Sequence, residues 1–191
     1  MTQDEILGVL RETAALLEGH FELRSGLHSG RFFQCANVLR YPRMAERLCA
    51  ALVVKLRGSV PDACEADAVI SPAMGGILVG HEVARALDLP SIFAEKQDGR
   101  LVLRRFGIAK GERLIVAEDV ITRGGRVQET IDIVEGHGGK VAAVVLLVDR
   151  SGGKAAFDCP VISLLEMEPE TYEPGSCPLC EKGMELVHPG S

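Results

Sequence analysis

The sequence has 191 residues, 47% of them apolar and 25% charged, with a formal net charge of −6. This is an ordinary globular mix, long enough to bury a core and unlike a disordered chain. The acidic balance, with no basic stripe carrying interleaved aromatics, argues against a nucleic-acid partner; local cations still leave room for a small anionic ligand.

Met1–Leu10 carries Asp4 and Glu5 and lacks a basic segment followed by an apolar one, so no targeting signal is read there. The apolar run Val141–Val148 is too short to span a membrane. The expected compartment is the cytoplasm, with no membrane partner. Of the six cysteines (Cys35, Cys49, Cys64, Cys159, Cys177 and Cys180), three lie in apolar surroundings where free thiols serve as small core residues.

In chain order, apolar residues at 6, 7, 9, 10, 14, 16 and 17 predict a helix over Ile6–Leu17. Phe21–Leu23 and Phe32–Phe33 read as short strands, joined by a polar, glycine-bearing loop from Arg24 to Arg31. Pro42 suits the first turn of a second helix, about Met44–Lys55. Strands are then expected at Ala68–Ser71, Ser91–Ala94, Leu101–Arg104, Arg113–Ala117, Val141–Val148 and Val161–Leu165. Helices are expected at Ile77–Leu87 and Gly124–Glu135. Alternating strands and helices with continuous apolar strands predict an α/β fold, a parallel sheet covered on both faces. Its site is expected at the carboxyl ends of the strands. Residues 1–165 read as one domain, with a separate surface-laid tail over 166–191.

The strongest chemical signal is Leu114-Ile-Val-Ala-Glu-Asp-Val-Ile-Thr-Arg-Gly-Gly-Arg126. A buried strand ends in two acids, a hydroxyl-and-glycine turn follows, and a helix begins. Glycines let backbone N–H groups approach an anion, and the helix start adds unpaired donors and partial positive charge. The dipole is worth about 0.3–1 kcal/mol, so charge-assisted hydrogen bonds of about 1.5–3 kcal/mol each would dominate phosphate affinity. Acids beside a phosphate would repel it. Glu118 and Asp119 are therefore expected to face hydroxyls, for which the ribose 2′- and 3′-hydroxyls are natural, or a metal. The plain alternative is a turn capped by Thr122 beside two solvated acids. The Walker and dinucleotide fingerprints are both absent.

This segment closely resembles the 5-phosphoribosyl-1-diphosphate (PRPP) motif of the type I phosphoribosyltransferases. The resemblance covers roughly residues 15–165. It implies that family's fold, a central, mostly parallel sheet with flanking helices and a small N-terminal hood over about residues 1–40. It also implies PRPP as substrate with Mg²⁺, the ion held mainly through PRPP rather than by direct protein ligands. On that pattern Glu118 and Asp119 hold the ribose, and Val120, Ile121, Thr122, Arg123, Gly124, Gly125 and Arg126 complete the PRPP cradle. Phe93-Ala-Glu-Lys96 resembles the segment whose lysine meets the diphosphate at the root of a mobile loop shared across a homodimer. Catalysis then falls to Lys96 and Asp119. The loop's usual further lysine and histidine are missing; Arg100, Arg104 and Arg105 are the substitutes on offer. Ser71-Pro-Ala-Met-Gly-Gly76 resembles the diphosphate loop, with Gly75 in place of the familiar lysine. A cis bond at Ala73–Met74 would suit such a site.

The segment from Phe21 to Phe33 looks like the hood signature of the orotate phosphoribosyltransferases. That likeness assigns Arg24, Phe32 and Phe33 to the orotate site; Val148-Asp-Arg150, at the end of the long strand, is a second mark of that family and adds Arg150, and the family pattern adds Thr122. A planar guanidinium matches a carboxylate with two parallel hydrogen bonds, which suits Arg150 to orotate and to no purine. The implied reaction is orotate to orotidine 5′-phosphate, in de novo UMP synthesis. A transferase for another base and a PRPP-sensing regulator are the alternatives. Cys177-Pro-Leu-Cys180 is half of a zinc site, which Cys159 or His188 could complete; a redox pair and a plain structural turn are the other readings. His81 reads as a packed or solvated helix residue.

Overall fold

The computed structural model describes residues 1–189. They divide into two compact units, one of residues 1–40 with 168 onward, the other of residues 41–167.

The first unit opens with α1 (Gln3–Glu12), started by a reciprocal capping box. The Glu5 N–H donates to Thr2 Oγ1 at 3.3 Å, and the Thr2 N–H donates to Glu5 Oε2 at 2.7 Å. The helix is shorter than the apolar spacing suggests. Ala14 adopts φ 54°, which breaks the helical path, and Leu16 and Leu17 pass into a strand. That strand is β1 (Leu16–Glu22), antiparallel to β2 (His28–Phe33). Their connection is tighter than the expected Arg24–Arg31 loop. The Gly26 N–H donates to Leu23 O at 2.8 Å and the Leu23 N–H to Leu27 O at 2.8 Å. A four-residue helix, α2 (Ala36–Leu39), leads out of the unit.

The second unit begins with α3 (Pro42–Ser59), with proline in its first turn. Then come β3 (Ala68–Pro72), α4 (Gly75–Leu87), β4 (Ser91–Gln97), β5 (Arg100–Val102), β6 (Arg113–Ile121), α5 (Gly125–Gly136), β7 (Lys140–Asp149) and β8 (Val161–Glu166). The six strands form one sheet in the order β5-β4-β3-β6-β7-β8. All neighbours are parallel except β5, which returns antiparallel to β4. Ile70, Leu114, Val116, Val144 and Leu146 pack with Val127, Ile131 and Val134 of α5. The alternate residues Val69, Ile115, Val145 and Leu147 are buried too, so the central strands are covered on both faces. Each such side chain, fully buried, contributes about 1.5–3 kcal/mol.

The chain then returns to the first unit, which corrects the expectation of a separate tail. β9 (Thr171–Tyr172) pairs antiparallel with the start of β2, and a one-turn helix, α6 (Pro178–Glu181), follows. Val187 bridges to Phe21. No helix among the described residues is long and apolar enough to cross a membrane.

Candidate active site

The order of the large sheet fixes where a ligand can sit. From β3 the chain moves outward to β4 on one side, and from β6 outward to β7 on the other. The connections therefore diverge between β3 and β6, and the crevice beyond their carboxyl ends is the expected binding position. Four segments named from the sequence end there. They are the turn after β3, Lys96 near the end of β4, the acid pair and turn of β6, and Arg150 after β7.

The turn after β3 holds a cis peptide between Ala73 and Met74. The Ala73 N–H donates to Ala94 O at 2.8 Å, tying the turn to β4. Gly75 and Gly76 start α4 directly against the acids of β6. A Cβ built on Gly75 would lie 2.9 Å from Asp119 Oδ2, and one on Gly76 2.9 Å from Glu118 Oε1. The room a side chain would take at position 75 is thus filled by the Asp119 carboxylate. This turn offers backbone donors in place of a lysine.

Glu118 is buried, 6% exposed, and Asp119 half-buried. The Val120 N–H donates to Asp119 Oδ1 at 2.8 Å and the Asp119 N–H to Glu118 Oε1 at 3.1 Å. Burial, with the adjacent Asp119 charge second, pushes Glu118 up to about 9. Asp119 is also raised by burial, with hydrogen bonds from Glu118 and the Val120 N–H pulling the other way. Both shifts favour a proton held within the pair, with Glu118 its better holder and Asp119, with its backbone donor, the better seat for the remaining charge. One charge rather than two lessens the repulsion an incoming phosphate would meet.

This pair also sets a pH dependence. The folded Glu118 binds a proton that the unfolded chain releases near its ordinary value of 4.5. Stability is therefore favoured at low pH and falls as pH rises toward 9, by at most about 1.4 kcal/mol per pH unit for this group. Glu118→Gln should flatten the fall in urea-unfolding stability between pH 5.5 and 8.5. Parallel profiles for the two proteins would remove Glu118 as its source.

The following turn is open. Thr122, Arg123, Gly125 and Arg126 are exposed. Gly124 is the N-cap of α5 at φ 74°, and no side chain caps that helix, contrary to a Thr122 cap. The first N–H groups of α5 are left for an anion. Gly124 is held from behind by Phe157, whose Cζ would lie 2.6 Å from a Cβ there. Phe157 is a supporting residue that the sequence reading missed, and only the glycine hinted at a wall. Across the sheet the Arg150 N–H donates to Ile121 O at 3.0 Å, which brings Arg150 beside the same turn.

Lys96 is exposed and pairs across the hairpin with Leu101 of β5. Asp98 and Gly99, both at positive φ, form the tight turn. Of the three arginines offered as substitutes, Arg105 forks onto Glu95 at 2.9 and 3.1 Å. Arg100 and Arg104 are exposed. In the smaller unit Arg24 is exposed on the β1–β2 turn. Phe32 is half-buried with its ring 5.9 Å from that of Phe21, and Phe33 is buried in that unit's core. Of the aromatic pair, Phe32 is the one with a face to offer.

A family model, "Phosphoribosyl transferase domain", matches residues 37–176. An orotate phosphoribosyltransferase from Heliobacterium modesticaldum is 49% identical over 192 aligned positions, covering 100% of this chain and 99% of that one. The structure of an orotate phosphoribosyltransferase from Aeropyrum pernix superposes with a TM-score of 0.71 at 24% identity, covering 85% of this chain and 94% of the other. An adenine phosphoribosyltransferase from Thermoanaerobacter pseudethanolicus gives 0.61 at 19% identity, over 72% of this chain and 88% of its own. The two structural likenesses show the fold, which different bases share; the full-length identity goes further. The chain belongs to the phosphoribosyltransferases and, within them, to the orotate phosphoribosyltransferase family.

Proposed function

We propose that this chain transfers the 5-phosphoribosyl group of PRPP to N1 of orotate, giving orotidine 5′-phosphate and diphosphate. One observation carries the donor half. The acid pair, the uncapped α5 turn and the Gly75–Gly76 backbone meet at the point where the sheet connections diverge. The acceptor half rests on family membership and on Arg150 beside that turn.

In this reading the Thr122–Arg126 turn, with the first amides of α5, takes the 5′-phosphate. Protonated Glu118 and charged Asp119 take the ribose hydroxyls, one able to donate and the other to accept. The C1–oxygen bond breaks with its electron pair leaving on the diphosphate, and the N1 lone pair of orotate forms the new C1–N1 bond. Orotate with N1 deprotonated needs no strong protein base, so the protein's work is positioning and charge stabilisation. Asp119 favours the developing positive charge on the sugar. Lys96 meets the diphosphate as a point charge. Mg²⁺ would be held mainly by the hard oxygens of PRPP, with charged Asp119 nearby, and would supply Lewis-acid neutralisation of the diphosphate.

Arg150 pairs the orotate carboxylate, with Arg24 and Phe32 as further base contacts. Buried Phe33 supports the hairpin that carries them. The molecule acts as a homodimer, with the Lys96–Arg105 hairpin serving the neighbouring subunit's site. The cytoplasm is the proposed compartment, in keeping with a length and cysteine pattern unlike a small secreted disulfide scaffold. The experiment for the acceptor is Arg150→Ala. Loss of a bidentate charge-assisted pair should raise the orotate KM about 10- to 100-fold while the PRPP KM stays within about twofold. Equal losses for both substrates would take Arg150 out of the base site.

A further inference from the structure

Within the smaller unit four side chains converge that the transferase reading does not use. His20 Nε2, His28 Nδ1, Cys177 Sγ and Cys180 Sγ all lie within 4.8 Å of one another. His20, His28 and Cys177 are buried, at 2%, 5% and 1% exposed. We propose that these four residues form a tetrahedral binding site for a structural zinc ion, which ties the returning C-terminal segment to the β1–β2 hairpin.

The distances have the size such a site requires. With Zn–N of about 2.0–2.1 Å and Zn–S of about 2.3 Å, tetrahedral edges come to about 3.3 Å for N–N, 3.6 Å for N–S and 3.8 Å for S–S. Here the imidazole nitrogens are 2.9 Å apart. Cys177 and Cys180 Sγ lie 3.6 and 3.7 Å from His20 Nε2, and Cys180 Sγ is 3.3 Å from His28 Nδ1.

The backbone around the cluster aims these atoms. β1 carries a bulge between Glu18 and Phe21, where Gly19 and His20 stand against Gly30 alone. The extra residue breaks the alternation, so that neighbouring His20 and Phe21 are both buried. On the other side of its ring, His20 Nδ1 lies 3.0 Å from Met184 O. A proton donated there fixes the tautomer and turns the Nε2 lone pair toward the cluster, the usual arrangement behind a metal-bound histidine.

The donor set selects the ion. Two thiolates and two imidazoles suit zinc and offer Mg²⁺ none of the oxygens it prefers. Four protein ligands leave no open position, so the site is structural rather than catalytic. Neither of the partners suggested by the sequence takes part. Cys159 is not in the cluster, and the exposed His188 meets Glu22 Oε2 at 3.3 Å. The ion would hold the hairpin whose turn bears Arg24, and it joins residues that are far apart in sequence, where a cross-link restricts the unfolded chain most.

Two rivals use the same atoms, a His28-to-His20 hydrogen bond beside free thiols and a Cys177–Cys180 disulfide. The test is metal analysis of the purified full chain by mass spectrometry, with cobalt exchange. About one zinc ion per chain is expected. Cobalt-exchanged protein should show intense tetrahedral d–d absorption and thiolate-to-metal charge transfer, both lost in Cys180→Ser. Because the cobalt spectrum is read on the unmutated chain, a poorly folding variant does not spoil the test. Substoichiometric metal with no charge transfer, a native disulfide in the intact mass, or an unchanged spectrum in Cys180→Ser would each overturn the site.

Discussion

Lys96→Ala is expected to lower kcat by about 10²- to 10³-fold, the usual loss when one preorganised charge is withdrawn from a developing anion. Lys96 is exposed and has no structural partner in the β4–β5 hairpin beyond its backbone pairing with Leu101. Stability should therefore change little, and the loss should fall on turnover more than on the PRPP KM. If the hairpin serves the neighbouring subunit, mixing Lys96→Ala with an inactive Asp119 variant should restore activity, because one site per mixed dimer is intact. An unchanged kcat would end the diphosphate role of Lys96, and absence of rescue would argue for self-contained sites.

Asp119→Asn should lower kcat/KM for PRPP by about 10²- to 10³-fold, since in the proposed mechanism it removes the charge that favours the cationic sugar. The substitution keeps the shape that fits against Gly75, where a Cβ would come within 2.9 Å of Asp119 Oδ2. The loss is therefore electrostatic rather than steric. It should not be accompanied by unfolding, because burial already pushes this carboxyl upward and a neutral amide relieves that strain. Activity within a few-fold of the parent would move the stabilising charge elsewhere.

The part of this site that was legible in the sequence is the part that is continuous in it. Glu118 to Arg126 is one strand end, one turn and one helix start, and each residue type states its job locally. The meeting of Gly75 and Gly76 with those acids was not legible, because it depends on β3 and β6 being neighbours in a sheet where β4 and β5 intervene along the chain. The sequence predicts too long a first helix for a different reason. Leu16 and Leu17 satisfy a helical period and an alternating one equally, and nothing in the composition announces the positive φ of Ala14. The Cys177–Cys180 pair showed half a metal site, but His20 and His28 come from the other end of the chain and one of them is aimed by a bulge. Residues 166 onward read as a surface-laid tail because their few strand and helix residues are too short to show a period, although β9 and Val187 bond to the hairpin.

The most direct test of the whole account is a spectrophotometric assay of the purified protein with PRPP, Mg²⁺ and a choice of base. Consumption of orotate that requires PRPP, with no turnover of adenine or hypoxanthine, is the predicted result. Turnover of a purine instead, or PRPP binding without consumption of any base, would contradict it.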